Sequence, residues 1–191
     1  MSARSPIAAL LAGALTLGLA ACGDGTSGAG GATSSTVVTG QERATVEPNA
    51  RLDHVVDGDT IDVITTDGRE ERVRLTGIDT PEVAHGASSG RPATPGECFG
   101  DEATEFVRDL LPVGTELRLE RDVVGRDDYG RLLAYVYRTS DGLFVNDEIV
   151  RRGYAQPLTI PPNVTFSEQF VGAAREAEAD DLGLWSGCAD G

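Results

Sequence analysis

The sequence predicts an α+β domain, mainly β, in which five strands form a small closed barrel and three helices pack on it. Three observations support this fold class. Five segments are rich in β-branched and apolar residues, three segments have the apolar spacing of helices, and the elements occur in the order β-β-β-α-β-β-α-α. We expect this domain to span residues 51–191, after a signal peptide and a flexible linker.

The first three strands are predicted to form a meander. Residues 52–56 and 61–65 are rich in β-branched and apolar side chains, which favour strands. Residues 66–69 (Thr-Asp-Gly-Arg) predict a hairpin turn, because Asp-Gly readily adopts positive φ values. Residues 72–75 continue the alternation on the returning strand.

Two later strands complete the barrel. Leucines alternate with charged residues over 116–120, the pattern of a half-buried strand, and residues 132–136 supply the fifth strand.

Three helices are predicted between and after these strands. Apolar residues recur at helical spacing over 103–111, over 145–150 and from about 167 to 181. Thr165 and Glu168 predict a capping box at the start of the third helix.

The N-terminus carries a predicted export signal. Arg4 is the only charge before an apolar run over residues 7–21, which ends in small residues and leads into Cys22. Such a short run is typical of a cleaved signal peptide rather than a membrane span. Its end resembles the lipobox of bacterial lipoproteins, which implies a signal peptide over 1–21, lipidation of Cys22 and a membrane-anchored, extracytoplasmic location. The alternative is a plain secretory peptide with an incidental cysteine.

Residues 22–50 are predicted to form a flexible tether behind the lipid. Asp24 is the only charge before Glu42, and glycine, serine, threonine and alanine dominate. Such a composition buries too little apolar surface to offset the entropy of ordering. The tether would hold the domain away from the membrane surface.

Cys98 and Cys188 remain as a pair if Cys22 is lipidated. An exported chain enters an oxidising compartment, where disulfides persist. A bond between them would stabilise the fold by roughly 4–5 kcal/mol in the chain-entropy model. Two free thiols are the alternative.

The charge balance is strongly acidic. The chain has 16 basic residues, all arginine, against 31 acidic ones, for a net charge of −15. This balance argues against a tight, sequence-independent nucleic-acid binder, because neutralisation of phosphates supplies the affinity of such proteins. It does not exclude a hydrolase with a small, locally positive site, and a solvated, soluble surface accounts for it equally well.

Two acidic clusters follow strands of the meander, at residues 57–60 (Asp-Gly-Asp-Thr) and within residues 74–82. Each cluster alone is typical of a turn or a strand exit. The ends of the first and third strands can converge, however, so Asp59 and Asp79 would offer two carboxylates to one cation. Oxygen ligands suit a hard ion such as Ca²⁺.

Two arginines accompany these carboxylates. Arg74 precedes Asp79 by five residues, and Arg131 begins a later strand. The planar guanidinium donates two parallel hydrogen bonds to a phosphate and stays charged. Taken alone, either arginine would be a solvated charge at the end of a strand.

Together these segments resemble the staphylococcal nuclease-like (thermonuclease) family. The resemblance covers about residues 51–187. The matching segments are Val56–Thr60, Arg74–Leu75, Ile78–Glu82, Phe99–Ala103, Tyr129–Arg131, Asn146–Gly153 and Leu184–Ser186.

The resemblance implies an OB-fold barrel and Ca²⁺-dependent cleavage of DNA and/or RNA at the 5′ P–O bond, which leaves 3′-phosphates. It implies the following roles by position: Asp59, Asp79 and the backbone carbonyl of Thr80 as metal ligands, Glu82 as general base or as the residue that orients the attacking water, and Arg74 and Arg131 as the phosphate clamp. We expect nucleic acid as substrate, the membrane as anchor, and a monomer.

Three departures from the family pattern predict weak substrate binding. Residues 156–161 lack the tyrosines that pack on the bound nucleotide in the family's type member. Asp128 stands where a basic residue would help to bind phosphate, and Arg91 is the only basic residue in the loop over 83–98. The competing hypothesis is a non-catalytic OB-type module on a lipid tether, which binds nucleic acid or a protein.

Overall fold

The computed structural model describes residues 47–84, 86 and 93–188. The predicted signal peptide over 1–21, Cys22 with its lipid, and the linker as far as residue 46 lie outside the described residues. The boundaries 1–21, 22–50 and 51–191 therefore stay predictions. Within the described part of the chain, no helix is both long and apolar enough to cross a membrane.

Three antiparallel strands form the predicted meander. They are β1 (Ala50–Asp57), β2 (Thr60–Thr65) and β3 (Glu70–Leu75). At the turn between β2 and β3, Gly68 has a φ of 82°, a value that favours glycine because it lacks a Cβ.

A parallel contact closes the barrel. β5 (Glu116–Glu120) pairs antiparallel with both β1 and β6 (Leu132–Arg138), and β6 pairs in parallel with β3. β1, β2, β3, β5 and β6 thus form the closed, OB-like ring that the sequence predicts. The parallel contact sets Arg74 beside Leu133, so the end of β3 lies next to the start of β6.

Three further strands, each of two residues, lie outside this five-stranded ring. β4 (Ile78–Asp79) pairs with β8 (Gln156–Pro157), and β7 (Leu143–Phe144) pairs with β6. The sequence did not predict them, because two residues carry no alternating pattern.

The three longer helices lie where the sequence predicts them. They are α1 (Gly100–Leu110), α2 (Val145–Arg151) and α3 (Ser167–Ala179), and a short fourth helix, α4 (Leu184–Gly187), follows. The barrel interior and the inner faces of the helices share one apolar core, whose largest fully buried members are Phe170, Leu52, Ile61, Leu75, Ile78, Leu111, Leu117 and Ile149.

The predicted capping box of α3 is wrong. The residue before the helix is Phe166, and no side chain caps the helix N-terminus. The Thr165 hydroxyl instead donates to Asp122 Oδ1 at 3.0 Å, and the Thr165 N–H donates to Asp122 Oδ2 at 3.1 Å. The hydroxyl of Tyr135 on β6 donates to the same carboxylate at 2.7 Å. Asp122 therefore ties the approach to α3 to the barrel.

Cys98 and Cys188 are joined by a disulfide in the structure, with sulfurs 2.12 Å apart. The bond connects the turn before α1 to the residue after α4. It thus fastens the C-terminal segment to the start of the first helix.

Candidate active site

The turn between β1 and β2 presents a buried carboxylate. Asp59 is only 4% exposed, and its N–H donates to Asp57 Oδ1 at 3.2 Å, which places Asp57 as a turn residue. Its own Oδ2 accepts the N–H of Thr80 at 3.0 Å. A Cβ at Gly58 would lie 2.7 Å from Thr80 Oγ1, so the turn packs directly on Thr80. The two acidic clusters of the sequence are therefore in contact.

Arg74 links both candidate carboxylates. Its Nη2 lies 2.9 Å from Asp59 Oδ2 and 2.7 Å from Asp79 Oδ1. Its Nη1 donates to the carbonyl oxygen of Ile78 at 2.8 Å, which fixes the guanidinium plane. The carboxylates of the β1–β2 turn and of β4 thus converge on one cationic nitrogen.

The environment of Asp59 favours a nearby cation. Burial, helped by the neighbouring carboxylates Asp57 and Asp79, raises the pKa of Asp59 to about 7, against the opposing effects of Arg74 and the Thr80 N–H. One guanidinium therefore does not fully compensate this buried carboxyl, and a divalent cation would supply additional positive charge.

The donors fit a hard cation that keeps several waters. Asp59 and Asp79 already share one positively charged partner, and both offer only oxygen. Over the ranges that the structure describes, no group of three or more His, Cys, Asp or Glu side chains converges. A cation here would therefore draw its remaining ligands from backbone carbonyls and water.

A tight turn orients Arg131. Asp127 Oδ2 accepts Arg131 Nε at 2.7 Å, while Asp127 Oδ1 accepts the N–H groups of Tyr129 and Arg131 at 3.0 and 2.9 Å. The guanidinium carbon lies 5.5 Å from the centre of the Tyr129 ring. Asp127 thus fixes both the backbone of the turn and the direction of the arginine.

Arg74 and Arg131 line the same cleft, which has a volume of about 410 Å³. The parallel pairing of β3 and β6 produces this convergence, because it sets the two strand ends side by side. Tyr129 at the cleft is 82% exposed. The segment that lacks tyrosines contributes Leu158 and Ile160, which are 37% and 62% exposed. Two arginines, whose guanidinium groups suit a phosphate, therefore adjoin an open apolar wall.

Glu82 is exposed and lies in an irregular segment two residues beyond Thr80. Its backbone is held from the side of α1, because its N–H donates to Glu97 Oε2 at 3.1 Å and its carbonyl accepts the Glu97 N–H at 2.8 Å. The structure thus joins Asp59, Asp79, Thr80 and Arg74 by direct contacts and places Arg131 in the cleft that Arg74 also lines. Glu82 lies two residues after Thr80 in the chain.

Sequence reasoning missed two residues that support this site. Asn146 is fully buried; its Nδ2 donates to the Thr76 carbonyl at 2.9 Å, and its Oδ1 accepts the Val136 N–H at 2.9 Å. It therefore ties β6 to the segment that follows β3. Glu97 is the second, and its only signal was its place in the turn before α1.

The structure is an OB-like barrel with two carboxylates and two arginines at an open cleft. These features define a class of candidate phosphate-binding proteins. The profile of one family, described as "Staphylococcal nuclease homologue", matches residues 72–187. The chain belongs to this family. The profile match begins after Asp59, so the contact of Asp59 with Arg74 is independent support for the site.

Curated relatives agree with this assignment. The thermonuclease of Staphylococcus intermedius is 39% identical over 131 residues, which cover 69% of this chain and 72% of that protein. The thermonuclease of Staphylococcus hyicus is 32% identical over 140 residues, 73% of this chain and 77% of that protein. Endonuclease YncB of Bacillus subtilis (strain 168) is 38% identical over 140 residues, 72% of this chain and 62% of that protein.

Proposed function

We propose that this protein is a nuclease that hydrolyses phosphodiester bonds of DNA or RNA with Ca²⁺ as its metal. The observation that carries the proposal is the geometry of Arg74. This residue lines the same cleft as Arg131 and at the same time holds Asp59 and Asp79 together. The similarity to a thermonuclease and an endonuclease supports the same chemistry.

The carboxylates of Asp59 and Asp79 and the backbone carbonyl of Thr80 would hold the cation. When bound, Ca²⁺ would supply positive charge beside the scissile phosphate. A bound metal ion would balance the charge of the two carboxylates in place of Arg74. Nη2 of Arg74 would then be available to phosphate.

The two arginines that line the cleft bind the phosphoryl oxygens. Negative charge on these oxygens grows in the transition state, and stabilisation directed at growing charge is often the largest catalytic contribution. Asp127 keeps Arg131 in one orientation, which lowers the entropy lost when substrate binds.

Glu82 accepts the proton of the attacking water, or orients that water. The water oxygen forms a bond to phosphorus and the bond to the 5′ oxygen breaks. The 5′ oxygen leaves with the bonding electron pair and takes a proton from solvent, which gives one product with a 5′-hydroxyl and one with a 3′-phosphate, and Glu82 returns its proton to solvent.

The substrate would be met outside the cytoplasm. The apolar run over residues 7–21 and Cys22 support export and a lipid anchor, and the composition of residues 22–50 supports a tether. We further propose that the protein acts as a monomer.

Incubation of the purified protein with single-stranded DNA and RNA tests this function. We expect cleavage in Ca²⁺, loss of cleavage in excess chelator, and 3′-phosphate ends on the products. Arg131→Ala should reduce kcat on the order of 10²–10³-fold. Arg152→Ala is the matched control, since this exposed arginine pairs with Glu148 on α2 and does not line the cleft. Binding without cleavage would contradict the proposal and favour a non-catalytic module.

A further inference from the structure

We infer that Glu97 is a positioning residue for Glu82, and that the Cys98–Cys188 disulfide keeps Glu97 in place. The inference rests on the proposed function, since it concerns the rate of the step that Glu82 serves. It also predicts a change in local structure that can be measured without substrate.

Reciprocal hydrogen bonds connect the two glutamates. The Glu97 carboxylate accepts the Glu82 N–H at 3.1 Å, and the Glu97 N–H donates to the Glu82 carbonyl at 2.8 Å. Glu82 belongs to no helix or strand. Its backbone groups are therefore satisfied by one residue, 15 positions further along the chain.

Close packing on both sides of Glu97 leaves little room for the Glu82 segment to shift. A Cβ at Gly96 would lie 2.9 Å from the Ala84 nitrogen. A Cβ at Gly100 would overlap the carbonyl oxygen of Glu82. Residues 96–100 thus form a surface on which the backbone of residues 82–84 rests.

The C-terminal segment holds that surface from behind. Cys98, next to Glu97, is bonded to Cys188, and a Cβ at Gly187 would lie 2.9 Å from the Phe99 ring. The start of α4 is itself attached to the end of α2, since the Leu184 N–H donates to the Gly153 carbonyl at 2.8 Å. The disulfide and these packing contacts therefore connect Cys188 to the segment that holds Glu82.

This connection matters because Glu82 must meet a water at a fixed place. A displacement of about 1 Å in a catalytic group can reduce the rate on the order of 10²-fold. The arginines that line the cleft bind the substrate in the proposed function, so a shift of Glu82 should change kcat and leave KM largely unchanged.

The first test compares two substitutions of Glu97 in the full-length protein. Glu97→Ala removes the acceptor of the Glu82 N–H, and we expect kcat to fall about 10-fold to 10²-fold with little change in KM. Glu97→Gln keeps an acceptor oxygen and should restore most of kcat. Glu102→Ala, an exposed glutamate in the first turn of α1, is the matched control and should keep the wild-type kcat.

Amide hydrogen exchange at Glu82 gives a readout that is independent of activity. Its exchange should accelerate in Glu97→Ala and stay slow in Glu97→Gln and Glu102→Ala. A protected Glu82 amide together with wild-type kcat in Glu97→Ala would overturn the inference. If the wild-type protein cleaves nothing, the proposed function fails, while the exchange data still decide whether Glu97 positions Glu82.

The second test removes the disulfide by a Cys98→Ser/Cys188→Ser double substitution, assayed well below its unfolding temperature. We expect kcat to fall about 10-fold and the Glu82 amide to exchange faster. Because both changes act through one contact, the effect of Glu97→Ala should be smaller in this background than in the wild type. Full additivity of the two effects would show that the disulfide does not act through Glu97.

Discussion

Arg74 connects the acidic part of the site to the cleft that it shares with Arg131. Its side chain is 13% exposed and contacts Asp59, Asp79 and two backbone carbonyls. A lysine could not replace it, because a single ammonium lacks the planar fork that reaches several acceptors at once. The same side chain organises the candidate metal ligands and lines the cleft.

Gly58→Ala should damage the site without touching a charged residue. The new Cβ would lie 2.7 Å from Thr80 Oγ1, so Thr80 and its hydrogen bond to Asp59 must shift. We expect a loss of roughly 1–3 kcal/mol in the free energy of unfolding and weaker Ca²⁺ binding. Urea unfolding and calcium titration measure both quantities.

Gly172→Ala is the matched control for this substitution. Gly172 lies in α3, where a Cβ would meet nothing within 4 Å. Alanine is the better helix former by about 1 kcal/mol, so this variant should be at least as stable as the wild type and bind Ca²⁺ normally. Equal calcium affinity in both variants would contradict the packing argument at Gly58.

At this scale, the sequence shows which chemical groups are present but not how they are held. Asp59, Asp79, Arg74 and Arg131 stand out because each lies at or next to the end of a strand. Nothing local indicates that Glu97 reaches back to Glu82, because that contact depends on how the turn before α1 packs.

Among the elements, length decides what the sequence can predict. Strands of five residues or more and helices of seven or more carry enough apolar periodicity to be located within a few residues. β4 and β8 are too short to carry such periodicity, although β4 places Asp79 in the site. The parallel contact of β3 with β6 is a property of barrel closure, so no single segment predicts it.

Asn146→Ala should weaken the junction between elements that brings Arg74 and Arg131 together. The Thr76 carbonyl and the Val136 N–H would both lose the partner that Asn146 provides in the buried interior. Unsatisfied buried groups cost about 1–3 kcal/mol each, so the two groups together predict a loss of about 2–6 kcal/mol in the free energy of unfolding. Chemical denaturation measures it.

Gln169→Ala is the control for an ordinary polar contact. Gln169 Nε2 donates to Asp147 Oδ1 at 3.0 Å on an exposed surface. Its removal should change the free energy of unfolding by less than about 0.5 kcal/mol. If both variants lost a similar amount of unfolding free energy, burial would not explain how much the Asn146 hydrogen bonds stabilise the fold.

For the molecule as a whole, acid should destabilise the fold through carboxylates such as Asp122. Burial alone would raise the pKa of Asp122, but hydrogen bonds from Tyr135 and Thr165 hold it below its ordinary value. A lowered folded-state pKa contributes stability above the unfolded pKa, near 4, which is lost as pH falls through the folded value. The fall in stability below about pH 4 should therefore be shallower in Asp122→Asn than in the wild type. Asp109→Asn, an exposed change on α1, should follow the wild-type curve in urea titrations at each pH.

Salt should strengthen substrate binding, in contrast to its usual effect on nucleic-acid binders. A basic protein loses affinity with salt because it releases counterions from the phosphates. This chain carries a net charge of −15 and places Asp128 at the cleft, so repulsion from the polyanion dominates at low ionic strength. The Debye length shrinks from about 30 Å at 0.01 M to about 10 Å at 0.1 M. KM should fall over this range at saturating Ca²⁺ while kcat stays constant.

Asp128→Asn separates the local part of this repulsion from the global part. A unit charge about 4 Å from a phosphate contributes about 1 kcal/mol in water, so KM at low salt should fall about 5-fold. Glu178→Gln removes the same charge from an exposed position on α3 that does not line the cleft, and it should change KM much less. The difference between the two variants should shrink as salt is added. A KM that rises with salt in the wild type would mean that the arginines of the cleft outweigh the acidic surface.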